Sequence, residues 1–378
     1  LRPGGAVRLL MSIAEMGSGG AETLVADLAA ALVVDGHRVC VASDEGWRAG
    51  GLEAAGIEHL RVPMRVPGTR RLAAASARVA RWSVRGRPDL VHAHNVRATL
   101  TGRLGTLATG RPPVLSTVHG LAPGDYAPAV RVLQRWSDLV VAVSDSVAAD
   151  LVLHGLPQER VRVVPNAVPV PVLASRAAAR LSLGLARDEQ VALCVARLVP
   201  PKRQDLLVGA WARRASGTLL VVGDGPERER LDRLIGRLGL RGRVRLLGTR
   251  SDVPALLAAS DVAVVASDRE GLSMAALESL AAGVPLVASR VGGLVELAGA
   301  AELVEPGEVD ALHGGLAAVL DDPDHAQRLV ARGRELVAQR YSVDAMRADY
   351  LGLYAELGVG DEIGGAAPRC TFGHWVDG

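Results

Sequence analysis

Short apolar runs alternate with amphipathic stretches along almost the whole chain. Val7–Ile13, Arg38–Ala42, Leu90–Ala93, Val114–Thr117, Leu139–Val143 and Val161–Val164 are mostly apolar at successive positions. Such runs predict strands covered on both faces rather than strands with one wet side. Between them, Ala21–Val34, Leu72–Trp82 and Leu100–Ala108 repeat apolar residues at helical spacing. Strand and helix in alternation predict βαβ units around a parallel sheet. Pro165, Pro169 and Pro171 break the alternation with a stiff stretch that reads as a linker. The pattern then restarts with Val191–Ala196, Leu219–Val222, Val244–Leu247, Val262–Ala266, Pro285–Ala288 and Ala301–Val304. Gln204–Ala212, Glu227–Arg237 and Met274–Ala282 supply the helices in between.

This alternation predicts an α/β protein of two Rossmann-like domains with parallel sheets, spanning residues 1–168 and 169–340. Met346, Tyr350, Leu353 and Tyr354 recur at helical spacing, so residues 341–357 are expected to form a closing helix. Residues 358–378 form a glycine-rich tail, expected to be poorly ordered.

Composition sharpens this picture at one point. The 43 basic side chains include a single lysine, Lys202; the rest are arginine. A phosphate loop needs Gly-Lys-Ser/Thr, and Lys202 follows Pro201, so that loop is excluded. A protein kinase places its lysine on an early strand, which excludes that class too. A formal charge of +2 argues against a nucleic-acid partner. Cys40 and Cys194 lie in apolar runs as small buried hydrophobes, and the odd count of three suggests a reducing, cytoplasmic setting. No run is long enough to span a membrane, which leaves only peripheral contact with a membrane surface open.

Three segments could carry chemistry. Gly17-Ser18-Gly19-Gly20 sits between the first strand and its helix, where glycine lets the backbone approach an anion, or simply makes the turn. Glu22 stands where a dinucleotide fingerprint requires glycine, so that fingerprint is absent. Arg197 and Lys202 follow the first strand of the second domain; they suit a diphosphate, or are solvated loop charges. The third segment runs from Asp268 to Glu278: Glu270 lies in a loop, Ser273 can cap the next helix, and Glu278 lies inside that helix. A carboxylate there needs partners, either ribose hydroxyls or an arginine. Asp224, between two glycines, reads as a turn residue. His92 and His94 are expected on opposite faces of their strand, which leaves no metal pair, and no G-x-S-x-G elbow exists for a serine hydrolase.

Glu270 and Glu278, with seven residues between them and Ala282-Gly283-Val284-Pro285 after, resemble the E-x7-E motif of the retaining GT-B glycosyltransferases of family 4. Gly19-Gly20-Ala21-Glu22, Asp89–Asn95, Ser144 to Ser146, Val164-Pro165-Asn166, Arg197 with Lys202, and Val222–Pro226 agree with that family in order and spacing, so the likeness covers about residues 7–357. The resemblance implies two sheets facing across a cleft, an acceptor domain followed by a donor domain, and transfer of a sugar from a nucleotide-diphosphate sugar with retention of configuration. UDP is favoured over GDP or ADP. It implies that Arg197 and Lys202 bind the donor pyrophosphate and that Glu278 holds the ribose. Glu270 and the backbone of Gly271, Leu272, Ser273 and Met274 would face donor sugar and phosphate. His119 would reach the sugar, and Gly19 and Gly20 would close over the diphosphate. No cofactor and no metal ion are implied. The family's usual E-G-F-G is E-G-L-S here, P-N-G is Pro165-Asn166-Ala167, and Ala196 replaces a glycine, which bears on donor-sugar preference.

The acceptor stays open: a glycan, a lipid-linked sugar or a small molecule. Arg61, Arg65, Arg70 and Arg71 form either a solvated face or one suited to an anionic lipid or acidic glycan. A sugar-nucleotide epimerase, a phosphorylase, and a regulator that binds sugar nucleotide without turnover are the competing functions.

Overall fold

Valine, leucine and alanine dominate the strand runs, and compact or β-branched side chains suit strands covered on both sides. In the computed structural model, which describes residues 6–17 and 19–360, these runs form two parallel sheets. The first contains β1 (Arg8–Glu15), β2 (Arg38–Asp44), β3 (Glu58–Arg61), β4 (Leu90–Ala93), β5 (Val114–Val118), β6 (Leu139–Ala142) and β7 (Val161–Val163). Its spatial order is β3-β2-β1-β4-β5-β6-β7. The second contains β8 (Val191–Val195), β9 (Thr218–Val222), β10 (Val244–Gly248), β11 (Val262–Val265), β12 (Leu286–Ser289) and β13 (Glu302–Val304), in the order β10-β9-β8-β11-β12-β13.

β3 has no counterpart among the predicted strands. Glu58 and Arg61 are exposed and only His59 and Leu60 are half-buried, so this edge strand lacks the apolar run that marks the others. It is held instead by its backbone register with β2, Cys40 against Glu58 through Ser43 against Arg61.

The chain divides into two compact units, one running to Asn166 and resuming at Val343, the other Ala167–Ser342. The division thus falls just ahead of the expected boundary after residue 168. The expected closing helix is Val343–Glu356 and belongs to the first unit. Its anchors are polar as well as apolar. Tyr354 Oη lies 2.8 Å from His92 Nδ1 on β4, and Tyr350 Oη lies 3.2 Å from Thr117 Oγ1 on β5. Both tyrosines are buried, and burying a phenol costs less when its hydroxyl has such a partner. In the second unit, fully buried Trp211 packs with Leu207, Leu219 and Leu312. No described helix is long and apolar enough to cross a membrane. The part of the tail beyond residue 360, with Cys370 and Phe372, lies outside the described residues.

Candidate active site

In the second sheet the chain leaves β8 toward β9 on one side, while β11 on the other side leads to β12. The loops after β8 and β11 therefore diverge at the carboxyl end of the sheet, which is where open α/β sheets receive ligands. Lys202 comes from the first loop and Glu270 from the second. The structure brings them into an ion pair between Nζ and Oε1, with the two side chains 21% and 9% exposed. Ser267 Oγ donates to the same Oε1 at 2.7 Å.

The backbone explains why this pair forms. Pro200–Lys202 is a single turn of 3-10 helix, closed by Lys202 N–H donating to Val199 O at 3.0 Å. Asp268 N–H donates to Pro201 O at 2.8 Å and ties the two loops together. Arg203 adds a side-chain tie, with contacts of 3.1 Å to both Asp205 and Asp268. The loop after β9 supports the arrangement from beside it: Leu198 N–H donates to Asp224 O at 2.9 Å. Gly223 has φ +126°, and a Cβ there would lie 2.0 Å from Ala196 O, so a side chain is excluded. Asp224 is exposed and accepts from Gly225 N–H at 2.7 Å, a turn role.

Glu270 is held by its carbonyl too. Gly293 N–H donates to Glu270 O at 3.2 Å, and Gly292, at φ +48°, presses so close that a Cβ would meet that oxygen at 1.9 Å. Sequence reasoning missed Gly292 and Gly293. Their signal is a Gly-Gly pair three residues past the end of β12, at the same end of the sheet.

Ser273 caps helix Met274–Ala282, its Oγ accepting from Ala276 N–H at 3.3 Å. The side chains of Leu272 and Met274 are buried, so their share in any ligand contact is backbone amide at a helix N-terminus. Gly271 is half-buried beside Glu270, and Glu278 is half-buried between buried Leu277 and Ser279. Arg197 is exposed at the start of the β8 loop, its carbonyl accepting from Gln204 Nε2 at 3.0 Å. It forms no ion pair among the described residues. The buried Cys194 thiol is pushed up to about 12 by burial, opposed by Lys202 and reinforced by Glu270.

The first sheet has its own switch point, between β1 and β4. Gly19 is the N-cap of helix Gly20–Val34, and its carbonyl accepts from Thr23 N–H at 3.2 Å. Beside it, Asn95 caps helix Val96–Thr106 through Ala98 N–H at 2.8 Å. The expectation for His92 and His94 is overturned. Side chains two apart on a strand share a face, and the rings lie 4.1 Å apart. His119, half-buried in the loop after β5, joins them, with Nε2 3.4 Å from His94 Nδ1. The three rings converge on no common ion, because His92 uses both nitrogens on Tyr354 and Thr117.

Burial lowers His92 to about 3 and His119 to about 4 from an ordinary 6.5, and holds His94 well below it. The Asn166 side chain pulls His119 the other way. These rings are neutral at pH 7. An unfolded chain protonates them near pH 6.5, and folded His119 does so only near pH 4. The unfolded state therefore binds more protons in that window, and stability falls as pH falls through it. The melting temperature should drop between pH 6.5 and about 4, with a shallower slope in His119→Asn. An identical slope in that variant would contradict the assignment.

Comparison with known proteins places these features in context. The family described as "Glycosyltransferase Family 4" matches residues 18–170, and "Glycosyl transferases group 1" matches residues 175–336. A D-inositol 3-phosphate glycosyltransferase of Thermobispora bispora is 34% identical over 310 residues, covering 72% of this chain and 71% of that protein. The chain belongs to glycosyltransferase family 4. This glycosyltransferase is also 26% identical over 300 residues to the N-acetyl-alpha-D-glucosaminyl L-malate synthase of Bacillus anthracis, covering 75% of this chain and 79% of that protein. Its fold matches HepE of Anabaena, solved in complex with UDP-glucose, with a TM-score of 0.83, 25% identity and coverage of 92% and 99% of the two chains. Two parallel-sheet domains of this kind make the glycosyltransferase a GT-B fold.

Proposed function

We propose that this glycosyltransferase takes its sugar from a nucleotide-diphosphate sugar, UDP foremost, and transfers it with retention of configuration. The observation that carries the reading is the meeting of Lys202 and Glu270 at the switch point of the second sheet. Arg197 and Lys202 bind the diphosphate, and their charge stabilises the leaving phosphate as its bond to the sugar breaks. Glu278 accepts hydrogen bonds from the ribose hydroxyls. Glu270 orients the Lys202 ammonium and faces the sugar, together with the amides from Gly271 to Met274. In the first unit, neutral His119 offers a hydrogen bond to a sugar hydroxyl, and Gly19 and Gly20 let the backbone approach an anion.

Glu270 is engaged by Lys202 and Ser267, which suits orientation better than nucleophilic attack. The reaction is then a displacement on one face. The anomeric carbon–phosphate oxygen bond breaks, the acceptor oxygen bonds to that carbon on the same side, and the acceptor proton passes to the leaving phosphate.

UDP is supported by the Anabaena relative solved with UDP-glucose. D-inositol 3-phosphate and L-malate, which occur in the names of two relatives, belong in the acceptor panel. The test is incubation with labelled sugar nucleotides and acceptors in the presence of EDTA, since Arg197 and Lys202 are assigned the charge a divalent ion would otherwise carry. Mass spectrometry should find a glycoside from a UDP-sugar. An epimerised donor, release of sugar phosphate, or binding without product would overturn the reading in favour of an epimerase, a phosphorylase or a regulator.

A further inference from the structure

Three helices of the first unit carry arginine and no carboxylate. Thr69–Gly86, Val96–Thr106 and Tyr126–Trp136 contain neither Asp nor Glu. By contrast Gly20–Val34 holds Glu22 and Asp27 without a basic residue, and Val343–Glu356 holds Asp344, Asp349 and Glu356. The three basic helices lie side by side. Val79 of the first packs with Val91 of β4, and Gly102 of the second lies against the same valine. Arg103 Nε of the second donates at 3.1 Å to the carbonyl of Trp136, which ends the third.

On the first helix, Arg70, Arg71, Arg78, Arg81 and Arg85 are all exposed. At helical spacing they fall within an arc of about 100°, opposite the buried Ala75, Ser76, Val79 and Ser83. Arg131 and Arg135 are exposed one turn apart on the third helix. Arg61 and Arg65 are paired with Glu45 and Glu15. Among the described residues, Arg70, Arg71, Arg81, Arg85 and Arg131 form no ion pair. Like charges one turn apart repel, so this face is held against its own charge, and a broad layer of negative charge relieves that repulsion.

We infer that this face docks on an anionic lipid bilayer and holds the enzyme at the membrane surface. Charge complementarity selects an anionic partner, and two exposed aliphatic side chains select lipid. Val84 on the first helix is 63% exposed, and Leu107, the residue that follows the second helix, is 38% exposed. A headgroup layer accommodates such side chains, whereas a nucleic-acid backbone gives them nothing to pack on. Guanidinium forks bind lipid phosphates in pairs of hydrogen bonds, and the long stems reach them from a flat face. The formal charge of the whole chain is only +2, so the attraction comes from this face and not from the protein at large.

The test is co-sedimentation of the full chain with vesicles at near-physiological salt. Vesicles of phosphatidylcholine with about 30% phosphatidylglycerol should bind it, and phosphatidylcholine alone should not. One arginine near such a surface contributes about fivefold to partition, so the variant combining Arg70→Gln, Arg71→Gln, Arg81→Gln and Arg85→Gln should bind at least about fiftyfold more weakly. A control combining Arg233→Gln, Arg241→Gln, Arg250→Gln and Arg290→Gln removes the same charge from the second unit and should bind like wild type. Circular dichroism checks that both are folded. Equal binding to neutral vesicles, equal loss in the control, or tighter binding to duplex DNA than to anionic vesicles would overturn the inference.

Discussion

Replacing Lys202 with alanine should lower kcat by about 10²–10³-fold while KM for the donor changes less than about tenfold. The split follows from when the charge is needed. The diphosphate is already anionic in the ground state, but charge on the leaving oxygen grows only as its bond to the sugar breaks, so a fixed ammonium gains most in the transition state. Lys202 is only 21% exposed and its partner Glu270 only 9%, so water screens this charge far less than a surface ion pair. The same burial explains why arginine is expected to fail here. Lys202→Arg keeps the charge but replaces a compact ammonium with a planar fork on the short turn Pro200–Lys202, and activity should fall at least tenfold. Steady-state kinetics on both variants decides the point, and a kcat within about threefold of wild type in either would contradict the charge or the shape argument respectively.

Gly292→Ala should impair the enzyme about as severely without touching a charged group. A Cβ at Gly292 would fall 1.9 Å from the carbonyl oxygen of Glu270, and φ at this position is +48°. The obstructing atom is backbone, so no rotamer change can relieve it. The left-handed conformation alone costs about 1 kcal/mol for alanine, and the clash adds roughly 1–3 kcal/mol. The Glu270 loop would have to shift by about an ångström, enough for about a hundredfold loss in kcat/KM. Gly314→Ala is the control: it lies within helix Val309–Leu320, and a Cβ there meets nothing within 4 Å. That variant should be neutral or slightly stabilised. Wild-type kinetics and melting in Gly292→Ala would show that the loop tolerates the shift.

Much of the architecture was legible because parallel strands covered on both sides carry near-continuous apolar runs. Gln204–Ala212 and Met274–Ala282 agree with the observed helices to the residue. The edge strand Glu58–Arg61 escaped notice because an edge needs less apolar cover. At the site, Lys202 and Glu270 were readable as separate residues, the first from its rarity and the second from the E-x7-E pattern. Their contact was not, because it depends on the order in which β8 and β11 neighbour one another. Gly292 was only half legible for a related reason: the Gly292-Gly293 pair marks a turn at that end of the sheet, but the carbonyl that constrains it belongs to Glu270 on another loop. The histidines show a different failure. Positions two apart on a strand share a face, so the proximity of His92 and His94 was available from spacing alone.

The central claim is that a nucleotide diphosphate is held at the carboxyl end of the second sheet by Arg197, Lys202 and Glu278. Calorimetric titration with UDP tests it most directly, because binding requires neither an acceptor nor turnover. Wild type should bind UDP, and Arg197→Ala and Glu278→Gln should each weaken binding at least about tenfold, since each loses a charge-assisted hydrogen bond, with circular dichroism checking that both are folded. Wild-type affinity in both variants, or no binding of UDP, GDP or ADP by the wild-type protein, would contradict the account.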